Sequence, residues 1–140
     1  MSRTHEVAWA AGFFDGEGYI VIQKRNHASY TGYYLRIGTN HVAPEPLIEF
    51  QRLFGGSIEK QSPEKVIGNR KPRHRWVTST ANAADVLKQL MPFLKNKSKV
   101  AALALDFQAT IGARGTEVSE EIQAKRAWFK DEITRLNSLD

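Results

Sequence analysis

Two periodicities meet without a linker in "WAAGFFDGEGYIVIQ", Trp9 to Gln23, and that junction constrains the fold more than any other feature of the chain. Glu6 to Phe14 reads as a helix, with Trp9 and Phe13 four apart on one face and Ala8, Gly12 and Gly16 four apart on another. Two-residue alternation takes over at once, so Tyr19 to Arg25 reads as a strand. Glycine frees the backbone where a helix turns sharply, and Gly16 and Gly18 stand at that turn with Glu17 between them. Each glycine inside a helix costs about 1 kcal/mol against alanine, so the Ala8, Gly12, Gly16 stripe needs a compensating gain. Small residues at this spacing let another backbone approach closely, which makes the stripe a candidate helix contact. The plainer reading is a Gly-rich helix end packed within one domain, with Asp15 and Glu17 as surface or capping acids.

Tyr33 to Asn40 reads as a second strand, joined to the first by the polar "NHASYTG". Pro44 and Pro46 open a helix carrying Leu47, Phe50, Leu53 and Phe54, and Gly55 and Gly56 close it. Ser57 to Gln61 and Arg73 to Ser79 form a further strand pair across the loop "SPEKVIGNRKP". Helices follow from about Ala83 to Met91 and from about Lys97 to Ile111, and Val118, Ile122, Phe129, Ile133 and Leu136 mark an amphipathic last helix. The pattern predicts an α+β fold, αββαββα plus C-terminal helices, with one four-stranded antiparallel sheet covered on one face by helices. A chain of 140 residues is expected to make a single domain, 1–140. Tyr19, Gln23 and Arg25 belong on the open face of the first strand, Tyr34 and Arg36 on the second, Glu59 and Gln61 on the third. Arg73 and Arg75 fit the fourth, where Trp76 beside Val77 leaves the inward side ambiguous.

Charge is unevenly placed. The chain carries 20 Lys and Arg against 15 Asp and Glu, and Lys60, Lys65, Arg70, Lys71, Arg73 and Arg75 crowd one segment with Glu64 as its only acid. Such a segment suits a polyanion, since phosphate contacts supply most sequence-independent nucleic-acid affinity, although a solvated loop would read the same way. Cysteine is absent, which removes disulfides and thiolate metal sites and fits a reducing, intracellular compartment. No apolar run approaches the roughly 20 residues that span a bilayer, and the N-terminus lacks a signal-peptide core, so a soluble, non-secreted protein with no membrane partner is expected.

"AAGFFDGEG", Ala10 to Gly18, resembles the signature of the LAGLIDADG homing endonucleases: Gly12, Asp15 and Gly18 match, and Glu17 takes the second acidic place. "LRIGTNH", "LIEFQRLFGGSI" and "VLKQLMPFLKNKSKVAALALDF" are similar to later segments of that family, so the resemblance runs from Glu6 to Phe107. Ala10, Phe13, Phe14 and Gly16 depart from the signature at packing positions. The resemblance implies a metal-binding acid at Glu17 with the carbonyl of Gly16 beside it, a structural role for Asp15, and a basic residue near the scissile phosphate at Lys97. A polar residue that orients water falls on His41, where the family more often has Gln or Asn, with Asn40 as the alternative.

The implied activity is site-specific cleavage of both strands of a long pseudo-palindromic duplex DNA. One motif per chain implies a homodimer through the Ala8, Gly12, Gly16 face, and a mobile intron or intein is the implied carrier. Hard oxygen donors favour Mg²⁺ or a similar divalent cation, which neutralises phosphate charge and activates water. The open sheet face would read base edges in the major groove, and the basic loop with Lys65, Arg70 and Lys71 would hold phosphates. Two rivals stand beside this reading: a non-cleaving RNA maturase or DNA-binding regulator of the same lineage, and a structural homodimer without a nucleic-acid partner.

Overall fold

The computed structural model describes residues 2–62, 64, 66–112 and 118–139. Helix α1 spans Arg3–Glu17, and its start is fixed by Ser2, whose side-chain oxygen accepts the His5 N–H at 3.2 Å. The helix is longer than its periodicity predicts: Gly16 lies inside it, and the chain leaves the helix only at Gly18 (φ −82°, ψ 165°). Gly18 still donates its N–H to the Phe14 carbonyl while already being the first residue of strand β1, Gly18–Asn26. A Cβ there would stand 2.5 Å from the Phe14 ring, so this abrupt exit excludes every larger residue.

Strand β2 (Thr31–His41), helix α2 (Glu45–Phe54), strands β3 (Ser57–Lys60) and β4 (His74–Ser79), and helix α3 (Thr80–Leu90) follow. A single 3-10 turn, Met91–Phe93, leads into α4 (Ser98–Gln108), and α5 covers Glu120–Asn137. The four strands form one antiparallel sheet in the order β1-β2-β4-β3, giving the expected α+β arrangement.

Antiparallel partners share a face, so the register assigns every side chain to one side of the sheet. Ile20, Ile22, Leu35, Ile37 and Trp76 turn toward the helices and are buried with Ala11 and Phe14 of α1, Leu47 and Phe50 of α2, Leu87 of α3 and Phe107 of α4. Trp76 resolves the ambiguity on β4. Its ring packs 4.9 Å from that of Phe50 and its Nε1 donates to the Gly55 carbonyl at 2.8 Å, whereas Val77 points outward. Truncating a fully buried Trp of this kind to Ala costs about 3–5 kcal/mol.

Helix α5 is tied down by polar contacts as well as by Ile133. Asn137 donates to the Ile20 carbonyl at 2.9 Å, Gln123 to the Thr31 carbonyl at 2.9 Å, and Arg126 to the Thr110 carbonyl at 2.6 Å. Among the described residues no helix is long and apolar enough to cross a membrane.

Candidate nucleic-acid interface and cleavage site

The uncovered sheet face is built by three pairings. Tyr19 lies opposite Gly38, Gln23 opposite Tyr34, and Arg25 opposite Gly32; Arg36 faces Ser79, Asn40 faces Arg75, and Arg75 faces Glu59. Gln61 and Arg73 continue the last pair through two bonds, Gln61 N–H to the Arg73 carbonyl at 2.8 Å and Arg73 N–H to Gln61 Oε1 at 3.1 Å. All nine side chains expected on this face therefore stand on it. Val21, Gly38, Asn40, Ser57, Val77 and Ser79 share the face, where the same alternation places them. Val77 is only 7% exposed despite facing out. The Tyr19 hydroxyl lies 2.5 Å from where a Gly38 Cβ would stand, and the contact between Arg36 and Glu59 at 3.9 Å spans the Val77 row.

Glu59 also meets Arg75 at 3.4 Å. Exposed pairs of this kind contribute about 0–1 kcal/mol, so both guanidinium groups can be released to a ligand at little cost. Arg25 sits 5.5 Å from the Tyr34 ring centre, and the Tyr34 hydroxyl is 3.0 Å from His27 Nε2. Beside Arg75, Asn40 has a buried Oδ1 without a partner and lines a cleft of about 540 Å³ with Glu59 and Arg73. Arg70 and Lys71 are exposed in the basic loop. Lys65 lies outside the described residues.

The helix-to-strand junction joins Asp15 to Lys97, with Glu17 two residues further on at the helix end. The Asp15 carboxylate accepts three backbone N–H groups, from Lys97 at 2.8 Å, Asn96 at 2.9 Å and Lys95 at 3.0 Å, pinning the start of α4 to the end of α1. Burial works against ionisation of Asp15, but the amides of Asn96, Lys97 and Lys95 and the Lys97 charge hold its carboxyl below the ordinary carboxylate value. Lys97 Nζ donates to the Asp15 carbonyl at 3.0 Å. The structural role expected of Asp15 thus has a concrete form: it seats the loop that delivers Lys97.

Glu17 is exposed and makes no hydrogen bond or ion pair among the described residues. At this helix end Gly18 N–H takes the Phe14 carbonyl and Lys97 takes that of Asp15. The carbonyl of Gly16 and the carboxylate of Glu17 come next, at the negative end of the helix dipole. These hard oxygen donors fit a divalent cation such as Mg²⁺, but they are too few to enclose one. Among the described residues no cluster of three or more His, Cys, Asp or Glu is present.

His41 ends β2 on the helix side, its ring 5.6 Å from that of Phe13. Its Nδ1 lies 3.0 Å from the Ala43 amide nitrogen and 3.2 Å from the Ala43 carbonyl, so the ring is held against the turn that follows β2. Asn40 points to the open face instead. Gly12 and Gly16 are exposed, Ala8 is half-buried, and a Cβ added at either glycine would meet nothing within 4 Å. Packing within one chain therefore gives no reason for glycine at those two places.

A helix running straight into a four-stranded antiparallel sheet, with acids at the junction and the other helices behind, is the fold of the LAGLIDADG homing endonucleases. Among solved structures, the homing endonuclease I-CvuI in complex with its target in the presence of calcium superposes with a TM-score of 0.77 at 18% identity, covering 96% of this chain and 83% of that one. The archaeal intron-encoded homing endonuclease I-Vdi141I, complexed with DNA, gives 0.78 at 12% identity over 96% and 86% of the two chains. The LAGLIDADG homing endonuclease I-GzeII, with its DNA target, gives 0.65 at 14% identity, and this chain covers only 43% of it. At these identities the likeness is one of fold. No family model and no curated protein matches the sequence.

Proposed function

We propose that this chain is a site-specific, metal-dependent DNA endonuclease that acts as a homodimer and cuts both strands of a long pseudo-palindromic target. One observation carries the reading: nine polar or charged side chains share an uncovered sheet face that starts, with no intervening residue, at the helix end bearing exposed Glu17. The DNA complexes of I-CvuI and I-Vdi141I, which have the same fold, support it.

The sheet lies in the major groove, where Arg25, Arg36, Arg73 and Arg75 suit guanine and Gln23 and Gln61 suit adenine. Tyr19, Tyr34 and Glu59 complete the reading surface, and Lys65, Arg70 and Lys71 grip phosphates. The 140 residues act as a single unit, and two units meet through Ala8, Gly12 and Gly16, so a two-fold axis brings both Glu17 carboxylates to the centre of the target. Glu17 and the Gly16 carbonyl would hold Mg²⁺, which when bound neutralises phosphate charge and lowers the pKa of water. Lys97, held on the Asp15 carbonyl, offers its ammonium to the scissile phosphate. His41 orients the attacking water, with Asn40 as the alternative.

The test is cleavage of a randomised duplex library in Mg²⁺, followed by Glu17→Gln on the recovered target. Cutting should fall by orders of magnitude while gel-shift binding persists, because the substitution removes the metal-holding charge and not the sheet. Binding of the wild type without any cutting would instead favour a non-cleaving regulator or an RNA maturase. Near wild-type cutting by Glu17→Gln would remove Glu17 from the site.

A further inference from the structure

At the end of the sheet away from Glu17, a cleft of about 600 Å³ opens between the β1–β2 hairpin and the α4–α5 pair. The nine residues of β1, at strand rise, place it roughly 26 Å from the junction. Its rim is apolar: Tyr30, Ile111 and Val118 are 58%, 37% and 40% exposed. Tyr33 lines it next to the core.

Two polar side chains in this apolar setting have unmet capacity. Arg126 is 8% exposed and makes no ion pair among the described residues. It caps the end of α4, donating from Nε to Thr110 Oγ1 at 3.2 Å and from Nη2 to the Thr110 carbonyl at 2.6 Å. That cap explains why an arginine is there, yet a guanidinium has five N–H donors and Thr110 accounts for only two of these bonds. Burial pushes the Arg126 guanidinium below its ordinary value, as expected where no carboxylate compensates. Gln123 gives its Nε2 to the Thr31 carbonyl, which leaves its Oε1 buried with no partner. A buried acceptor left unmet is costly and calls for an explanation.

A ligand that answers these features has a flat apolar body for the tyrosines, an N–H donor for Gln123 Oε1 and an acceptor for Arg126. A simple anion would set its charge against Gln123 Oε1 and leave the aromatic walls unused, and an alkyl chain would leave both polar groups unmet. We infer that this cleft binds a nucleobase, with its hydrogen-bonding edge on Gln123 and Arg126 and its ring against Tyr30 and Tyr33. The base comes from a free nucleoside monophosphate or from a nucleic-acid strand with one nucleotide unstacked. Tyr34, whose side chain belongs to the uncovered face, also borders the cleft.

Saturation-transfer NMR on the full chain, with each common nucleoside monophosphate in turn, tests the inference. Transfer should be strongest at base protons. Gln123→Leu removes the acceptor at similar size and should weaken binding about tenfold, the loss of roughly one hydrogen bond. Ile111→Trp fills the cleft from its exposed rim, leaves the cap on Thr110 in place, and should abolish binding. Anisotropy with duplexes, fully paired or carrying one bulged base, separates the two sources. A preference for the bulge that both variants remove points to an unstacked base, and equal affinity alongside monophosphate binding points to the free nucleotide. No transfer from any monophosphate at millimolar concentration overturns the inference. So does full displacement by inorganic phosphate with Gln123→Leu unchanged. The monophosphate readouts involve none of the residues assigned to cleavage, so they can fail while the endonuclease reading stands, and the reverse.

Discussion

Removing the Asp15 carboxylate should both destabilise the fold and unseat Lys97, and the size of the first effect can be worked from the contacts. Asp15→Ala deletes three N–H acceptances between 2.8 and 3.0 Å. Buried bonds to a charged acceptor are worth about 1.5–3 kcal/mol each, but this carboxylate is half-exposed and the freed amides regain water. The helix-cap scale of about 1 kcal/mol per contact is therefore the better guide, which gives about 2–3 kcal/mol in all. For a chain of this size that corresponds to a fall of roughly 6–12 °C in Tm. Urea titration of tryptophan fluorescence measures it, at one fixed protein concentration because a dimer's stability depends on concentration. Asp15→Asn keeps one acceptor and should lose about half as much.

The pH dependence follows from the lowered carboxyl. Ionised Asp15 stabilises the fold above its unfolded value of about 3.9, and the contribution is lost as pH falls through the lower folded value. The gap between wild type and Asp15→Asn should thus be flat from about pH 5 to 8 and shrink below about pH 4. A difference at pH 7 under about 0.5 kcal/mol, or one that widens in acid, would refute the account of Asp15 as the seat of the Lys97 loop.

Gly12→Leu should yield a folded monomer without cleavage, since nothing in the chain itself crowds that position; an active dimer in sedimentation and cutting assays would exclude this face as the contact. Lys71→Gln should weaken binding to all duplexes alike and lower the salt slope by about one, whereas Gln23→Ala should shift preference at one base pair, both read from salt titrations on a target panel. Gly38→Ala should destabilise by about 1–3 kcal/mol in urea, because its Cβ would stand 2.6 Å from the Trp76 carbonyl and cannot be relieved by a side-chain swing alone.

Strand parity was readable because an alternating pattern fixes the face of every residue once one is placed. That is why Tyr19, Gln23, Arg36 and Arg75 stand where the alternation puts them. Trp76 and Val77 were not separable from sequence, since both are buried, one by Phe50 from the helix side and the other beneath its neighbours on the open face. The α1 helix exceeds its periodicity at both ends: the Ser2 cap starts it at Arg3, and at the other end, where glycine propensity argues for a break at Gly16, the contacts of Asp15 with Lys97 accompany its run to Glu17. The partners of Asp15 are not legible locally, because its three donors come from residues some eighty positions away. Arg126 and Gln123 read as ordinary helix-surface residues, because nothing local reveals that Thr110 and Thr31 stand against them.

The missing linker at Gly18 turns the molecule into a ruler. The carboxylate of Glu17 and the first outward side chain, Tyr19, are joined by one glycine that no loop can stretch or shorten. One residue inserted after Gly18 would swing Tyr19, Gln23 and Arg25 into the helix layer and drag Ile20 and Ile22 into water, so length changes here are lethal to the fold before they can alter spacing. Exposed side chains further along the strand, such as Arg25, can change without touching the core, but the interval between Glu17 and Tyr19 has only one value this fold permits.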